Sequence, residues 1–311
     1  MSQIISRRDF LKRSAQAGIA GAVALPMAAK GMEPIKRTGA PRFRLSLVAY
    51  SFRAYFNAKE ADKKIDLFKF MDFASEHGCD GVEVTQYYFE KNVTDEYLIK
   101  LRRHAYLRGL AISGTGTGSH FALPQGDKLK EQIADAKKRI DYAAVLGAPF
   151  VRVFSGGIKD KDLNHDDALK SVVAGMEECA DYAGKKGIFL GMENDQGMTT
   201  TVDGTLEIIK KVKSPWFGAN LDTGNFHETQ DVYADLVKLA PYAINVHFKS
   251  ELHPRDKDGK RLDDPVDMSR MLKILGDANY QGYVALEYAA DEDPWKAVPR
   301  LLSQMKELIR G

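Results

Sequence analysis

Short apolar runs rich in aliphatic and aromatic residues alternate with longer amphipathic stretches along most of this chain. Runs of this length, bounded by polar or glycine-containing segments, are typical of buried β-strands. We predict eight strands: Leu45–Ser51, Gly81–Thr85, Leu110–Gly114, Phe150–Phe154, Ile188–Glu193, Phe217–Asp222, Ala243–Phe248 and Tyr283–Tyr288.

Each predicted strand is followed by a stretch whose apolar residues recur with helical period. The predicted helices are Lys63–Glu76, Glu96–Arg108, Lys128–Leu146, Asp166–Lys186, Asp203–Val212, Asp231–Leu239, Asp267–Ala278 and Pro294–Ile309. Several end in a glycine, the residue that most easily adopts the left-handed stop. Eight such units predict a single-domain α/β fold, a (β/α)₈ TIM barrel over residues 42–311. The alternative, an open doubly wound sheet, usually has fewer strands and a glycine-rich first turn that this chain lacks.

The first 30 residues have the composition of an export signal. Arg7 and Arg8 are followed by Phe-Leu-Lys and then by a short run of small and apolar residues, Ala15–Ala29. This order predicts a twin-arginine signal peptide over residues 1–30, read by the twin-arginine export machinery, and a periplasmic or secreted protein without a stable membrane anchor. A basic, disordered N-terminus of a cytosolic protein is the alternative. Residues 31–41, rich in Gly, Pro and Lys, are predicted to be a linker.

Charge and cysteine content argue against a nucleic-acid-binding protein and against a metal site built from cysteines. The formal net charge is +2, but residues 1–30 contribute +4, so the remainder carries about −2. A nucleic-acid partner is therefore not expected, because such surfaces need a concentrated excess of Lys and Arg. Cys79 and Cys179 show no metal-ligand spacing and are expected to be buried thiols. Assembly into a homo-oligomer is left open.

Four consecutive predicted strands deliver metal-ligating side chains near their C-terminal ends, where TIM barrels carry their active residues. These residues are Glu193, Asp222, His247 and Glu287. Three carboxylates buried at one barrel mouth would repel each other, and a divalent cation resolves that repulsion. Oxygen-rich ligation with one imidazole favours Mn²⁺, with Mg²⁺, Co²⁺ or Zn²⁺ as alternatives. A purely structural polar cluster is the competing interpretation.

The sequence around these four residues resembles a known family. The segments GMEND, NLDTGN, VHFKS and ALEY are similar to those of the xylose isomerase-like TIM-barrel superfamily, which includes sugar phosphate isomerases and epimerases, ketose 3-epimerases, hydroxypyruvate isomerases and inosose dehydratases. The resemblance spans about residues 42–309 and implies that the metal polarises a substrate carbonyl. It further implies that Glu193 and Glu287 are catalytic acid/base groups that work through an enediolate, while Asp222 and His247 are mainly ligands.

The residues expected to contact substrate depart from the pattern of that family. Many ketose epimerases have a histidine three residues after the aspartate of strand six, where this chain has Asn225. They also tend to have an arginine shortly after the histidine of strand seven, and here Lys249, His253 and Arg255 compete for that role. We therefore expect a set of substrate contacts that differs from that of the ketose 3-epimerases.

Three further residues are candidates for substrate binding. Glu83 and Arg152 alternate with valines and should point into the barrel. A buried ion pair is the alternative for Glu83, and a salt bridge with such an acid is the alternative for Arg152. His120 lies on the loop after strand three, where a surface position is an equal alternative.

The resemblance and the export signal together predict an isomerase or epimerase that acts on an unphosphorylated keto-sugar. A lyase or dehydratase acting on keto-sugars or 3-keto-glycosides is the alternative, because loss of a β-oxygen can follow the same proton abstraction. A non-catalytic sugar-binding barrel is the alternative from another class. Seven histidines are too few for the three-zinc site of endonuclease IV-like repair enzymes. The charged segment 250–266 is interpreted as a surface loop or a lid.

Overall fold

Eight parallel strands close into a barrel, and each strand is paired with its neighbours along the chain. The computed structural model describes residues 31–310, so the predicted signal peptide, residues 1–30, lies outside the described residues. The barrel strands are β1 Arg42–Val48, β2 Gly81–Glu83, β3 Ala111–Gly116, β4 Phe150–Phe154, β5 Phe189–Glu193, β6 Phe217–Asp222, β7 Ala243–Phe248 and β10 Gln281–Leu286. The predicted single-domain (β/α)₈ barrel is confirmed.

Helices connect these strands. They are α1 Arg53–Phe56, α2 Leu67–Glu76, α3 Asp95–Leu107, α4 Asp127–Leu146, α5 His165–Gly184, α6 Val202–Ile209, α7 Val232–Leu239, α8 Met268–Asp277 and α9 Pro294–Arg310. Several begin at a polar residue whose side chain accepts a hydrogen bond from a backbone N–H of the first turn; these caps are Asp66, Thr94, Asn164, Thr201, Asp231 and Asp267. Such caps satisfy donors that the helix leaves unpaired, so they fix where each helix starts.

The first strand begins earlier and ends earlier than predicted. β1 starts at Arg42, where exposed residues pair in register with Gln281–Tyr283 of β10. It stops at Val48, and Ala49–Phe52 forms a 3₁₀ helix. Apolar periodicity misses such edges because the pairing of a solvent-facing strand end comes from backbone hydrogen bonds rather than from side-chain burial.

The short segment before β1, predicted to be a linker, lies against the end of the barrel at which the strands begin. The backbone N–H of Met32 donates to Val212, that of Ile35 donates to Pro241, and the Arg37 side chain donates to the carbonyl of Ala243, the first residue of β7. Among residues 31–310, no helix combines the length and the apolar character needed to cross a membrane.

A small antiparallel hairpin rises beside the opposite end of the barrel. It pairs β8 Glu251–Leu252 with β9 Asp264–Pro265, and an isolated bridge joins Arg255 to Arg261 within it. The charged segment 250–266 is therefore built around a hairpin that follows directly after β7. This position places it next to the strand ends that carry the candidate metal ligands.

Candidate metal centre and adjoining cavity

The barrel brings the four predicted metal ligands together at the C-terminal ends of adjacent strands. Glu193 and Asp222 are the last residues of β5 and β6, His247 is next to last in β7, and Glu287 directly follows β10. One ligand atom from each residue lies within 4.8 Å of those of the other three, and all four side chains are buried. These residues could therefore hold a metal ion.

The imidazole of His247 is held between carboxylates on both of its nitrogens. Nδ1 lies 2.7 Å from Glu193 Oε1 and 3.4 Å from Glu287 Oε2, so this nitrogen faces the ligand cluster. Nε2 lies 2.9 Å from Glu83 Oε2, on the other side of the ring. Burial alone would lower the pKa of His247, but the charges of Glu83, Glu287 and Glu193 raise it well above its usual value. A bound cation would compete with that proton at Nδ1.

Asp222 presents one oxygen that is committed to the backbone and one that is not. Oδ1 accepts N–H groups from Gly224 at 2.8 Å and from Asn225 at 3.0 Å. Oδ2 is buried and accepts no hydrogen bond from the described residues 31–310, although Lys249 Nζ lies 3.1 Å away as an ion-pair partner. Burial raises the pKa of Asp222 to about 7, and the charge of Lys249 opposes that shift. An unsatisfied buried carboxylate oxygen within a ligand cluster is what a cation site requires.

The two glutamates are paired with different cationic side chains. Glu193 Oε2 lies 3.1 Å from Arg152 Nε, and Oε1 accepts a hydrogen bond from Asn220 Nδ2 at 3.1 Å. Glu287 Oε2 accepts a hydrogen bond from Lys249 Nζ at 2.5 Å. Burial by itself would raise the pKa of Glu287, but Lys249 and His247 hold it well below the usual range.

The charge balance of the whole cluster fits one divalent ion. Its four carboxylates are those of the ligands and of Glu83, and its permanent cations are Arg152 and Lys249. With a neutral imidazole the formal charge is −2, which one divalent cation cancels. Because buried charge without compensation is costly, the residues present fit such an ion.

A cavity of about 730 Å³ opens beside the cluster, between the ends of β6, β7 and β10 and the hairpin of β8 and β9. Four of the predicted substrate-binding residues line it, namely Asn225, Lys249, His253 and Arg255. His227, which sequence analysis did not single out, also lines it. Lys249 lines the cavity and also contacts Asp222 and Glu287, so it links the cavity wall to the candidate metal centre.

The other predicted substrate contacts lie elsewhere. Glu83 and Arg152 are fully or almost fully buried within the barrel, in contact with His247 and Glu193 respectively. His120 follows β3, where its backbone N–H faces Gln132, and it is not among the residues that line the cavity.

Two buried asparagines belong to the site but were missed in the sequence. Asn220 donates to Glu193, and Asn245 donates to Glu83 and to Asn220. Each lies two residues before a metal ligand on the same strand, in the segments NLD and NVH. Because side chains two residues apart on a strand share a face, this spacing is the signal that would have identified them.

Comparison with known proteins identifies solved structures that share this architecture. None of the curated proteins matches the sequence. Among solved structures, D-psicose 3-epimerase from Clostridium cellulolyticum H10, determined with D-tagatose, has a TM-score of 0.66 and 14% identity, and the match covers 86% of this chain and 99% of that one.

Two further structures resemble the chain to a similar degree. The probable 3-DHS dehydratase AsbF from Bacillus anthracis, involved in petrobactin synthesis, has a TM-score of 0.60 and 18% identity, covering 86% of this chain and 99% of its own. A xylose isomerase-like TIM barrel protein from Mycobacterium smegmatis, in complex with magnesium, has a TM-score of 0.64 and 18% identity over 86% and 96% of the two chains. At such identities these likenesses show the fold.

The family itself is shown by sequence. The model of the family described as "Xylose isomerase-like TIM barrel" matches residues 71–307, which is most of the chain and includes all four candidate metal ligands. With the closed barrel and the buried carboxylate–histidine cluster at its mouth, the match leads to one conclusion. This protein belongs to the xylose isomerase-like TIM barrel family.

Proposed function

We propose that this protein is a divalent-metal-dependent sugar isomerase or epimerase that abstracts a proton from the carbon next to a carbonyl of an unphosphorylated keto-sugar. The observation that supports this most is the presence of two glutamates, Glu193 and Glu287, in one buried cluster with Asp222 and His247. A site for binding alone has no need of two bases on the same ion, whereas proton transfer to and from a carbon uses both.

The two glutamates differ in the hydrogen-bond and ion-pair partners of their oxygens, and this suits them to different roles in proton transfer. A bound divalent ion supplies Lewis-acid polarisation of a carbonyl oxygen. Glu287 is held in its charged form by Lys249 and His247 through Oε2, while its Oε1 makes no hydrogen bond within residues 31–310. Oε1 is therefore the atom we assign to proton abstraction. Glu193 is fixed on both oxygens, by Arg152 on one side and by Asn220 and His247 on the other. In its protonated form it would deliver a second proton, taken up from solvent, to the carbon from a defined position, while Glu287 releases the first proton to solvent.

The cavity favours an uncharged, hydroxyl-rich substrate. His253 Nδ1 lies 3.0 Å from Asp263 Oδ1, and the Arg255 side chain donates hydrogen bonds to the backbone carbonyls of His227 and Gly259. Lys249 is paired with the cluster, which leaves Arg261 as the one lining cation without such a partner among residues 31–310. Phosphate and carboxylate groups are usually bound by several free cationic donors. The polar wall supports an unphosphorylated sugar.

A lyase is the second candidate, and the imidazoles in the cavity wall favour it. His227 and His253 both line the cavity beside a carboxylate, at 3.4 Å from Asp195 and 3.0 Å from Asp263. Either imidazole could protonate a departing β-hydroxyl after the same first proton abstraction. The dehydratase among the structural relatives has the same fold.

Solvent deuterium distinguishes these functions. The Mn²⁺-loaded protein is incubated with a panel of keto-sugars in D₂O, with Glu287→Gln as the test variant and Glu292→Gln, a half-exposed surface glutamate, as the matched control. Deuterium at the carbon next to the carbonyl, without loss of water and abolished only in Glu287→Gln, supports the isomerase or epimerase. An enone absorbance identifies the lyase. Absence of exchange with every sugar contradicts both and leaves the non-catalytic barrel.

We also propose that residues 1–30 direct export through the twin-arginine machinery. Free sugars outside the cytoplasm are then the accessible substrates, which agrees with a cavity whose cationic side chains are mostly engaged by other groups of the protein. Replacing Arg7 and Arg8 together by lysine in a bacterial host should retain the protein in the cytoplasmic fraction. Unchanged recovery from the periplasm would contradict this proposal.

A further inference from the structure

Glu83 is a buried carboxylate that crosses the barrel interior to reach a candidate metal ligand. It is the last residue of β2 and is 0% exposed, so it has no access to a substrate in the cavity. Its Oε2 lies 2.9 Å from Nε2 of His247 on β7. Two strands, β1 and β10, separate β2 from β7 in the barrel, and the contact therefore spans the interior rather than linking neighbours.

This contact determines which nitrogen of His247 is available to an ion. A neutral imidazole has one N–H and one lone pair. The carboxylates at Nδ1 belong to candidate ligands that an ion would engage, so Glu83 at Nε2 is the acceptor that remains for the N–H. The lone pair then lies at Nδ1, the nitrogen 2.7 Å from Glu193 Oε1 and 3.4 Å from Glu287 Oε2. Carboxylate partners of this kind orient metal-bound histidines and strengthen them as ligands.

A chain of two amides extends the influence of Glu83 to a second ligand. Asn245 Nδ2 lies 3.3 Å from Glu83 Oε2 and 2.7 Å from Asn220 Oδ1. Asn220 Nδ2 in turn donates to Glu193 Oε1 at 3.1 Å. Both asparagines are buried. Because every donor in this chain faces an acceptor, the amides hold Glu193 and Glu83 in a fixed relation.

We propose that Glu83 is a positioning residue for the metal centre, acting on His247 directly and on Glu193 through Asn245 and Asn220, and that it does not contact substrate. This inference rests on the proposed metal-dependent function, since it concerns two of the ligands. The other oxygen, Oε1, is buried without a hydrogen-bond partner within residues 31–310, which leaves His247 as the main contact of this carboxylate.

The test is the affinity for Mn²⁺ alone, measured by competition with a chelator on full-length Glu83→Gln. Glutamine keeps the shape of the side chain but removes the charge. Mn²⁺ should bind about 10–100-fold more weakly than to wild type, the loss typical of such supporting contacts. The matched control is Asp235→Asn, a buried carboxylate on α7 paired with Lys238, which should bind Mn²⁺ as wild type does. The visible spectrum of the Co²⁺ form should change in Glu83→Gln and not in the control.

A second variant protects the test against misfolding. Asn245→Ser leaves Glu83 and His247 in place but shortens the amide chain, so Mn²⁺ affinity should fall in the same direction by a smaller factor. If wild type binds Mn²⁺ and both variants bind it equally well with an unchanged Co²⁺ spectrum, the positioning role is wrong while the metal centre stands. If wild type binds no metal, the proposed metal-dependent function fails and the positioning role fails with it.

Discussion

Replacing Arg152 with methionine should show how much this buried cation, which lies beside the candidate metal centre, contributes to the stability of the barrel. The guanidinium is almost completely buried, with Nε 3.1 Å from Glu193 Oε2 and one terminal nitrogen 2.8 Å from the carbonyl of Thr117. Its carbon centre lies 4.1 Å from the centroid of the Phe154 ring. Methionine preserves much of this apolar packing but leaves Glu193 as a buried carboxylate without its cation.

The expected cost follows from that burial. Removing one partner of a buried ion pair typically destabilises a protein by about 3–5 kcal/mol, because the remaining charge is uncompensated. For a domain of this size each kcal/mol lowers Tm by about 2–4 °C, so Arg152→Met in EDTA should melt roughly 10 °C below wild type. Mn²⁺ should recover part of this loss, since a divalent ion beside Glu193 replaces the missing positive charge.

Denaturant unfolding measures the free energy of unfolding in EDTA and in Mn²⁺. The proteins compared are wild type, Arg152→Met and the double variant Arg152→Met/Glu193→Gln. The double variant removes both charges and should be more stable than Arg152→Met alone. Arg300→Met is the control, because its pair with Glu292 is about half exposed and contributes about 1 kcal/mol or less. A loss below about 1 kcal/mol for Arg152→Met in EDTA, or no effect of Mn²⁺ on it, would refute the reasoning.

Four further predictions follow, two on the thiols, one on the ion and one on the approach of a loop to the cluster. Burial raises the pKa of both Cys79 and Cys179 from 9.0 to about 12, so native protein at pH 8 should not react with an aromatic disulfide reagent, and rapid labelling would contradict the burial. Because the thiols of the unfolded chain ionise near pH 9 while the folded ones stay protonated, stability should fall as pH rises from 9 toward 12, and a flat denaturation midpoint over that range would be inconsistent. Mn²⁺ at about 100 times its Kd should stabilise the fold by about 2.7 kcal/mol, seen as a higher Tm that Asp222→Asn does not show, whereas equal Tm values with and without EDTA would contradict the site. In Gly224→Ala the added Cβ would lie 2.6 Å from Lys249 Cγ, so the lysine should be displaced from Asp222 and Glu287 and kcat for deuterium exchange should fall about tenfold, while Gly157→Ala, whose Cβ meets only ordinary contacts, should match wild type.

Much of the fold could be predicted because strand and helix periods differ. The eight apolar runs lie on the eight barrel strands, and the rule that strand ends carry the active residues located Glu193, Asp222, His247 and Glu287. The errors concern the bounds of single elements. β1 ends at Val48 because the backbone turns into a 3₁₀ helix that the apolar pattern does not reveal. The β8–β9 hairpin was not predicted because its charged residues carry no strand periodicity.

The inner polar network could not be predicted because it depends on barrel closure. Glu83 and His247 lie 164 residues apart and on strands that are not neighbours. Alternation along β2 indicates that Glu83 points inward, but only the register of the closed barrel shows which side chain it meets. The same holds for Arg152, whose partner among several buried acids is set by the pairing of β4 with β5.

Metal stoichiometry tests the central claim most directly. The purified protein is stripped with chelator, reloaded with Mn²⁺, passed through a desalting column and analysed for metal, beside Asp222→Asn and the distant control Asp235→Asn. One Mn²⁺ per chain in wild type and in the control, with loss in Asp222→Asn, is the result that a centre built from Glu193, Asp222, His247 and Glu287 predicts. Retention below about 0.2 equivalents in wild type, or equal retention in Asp222→Asn, would contradict it.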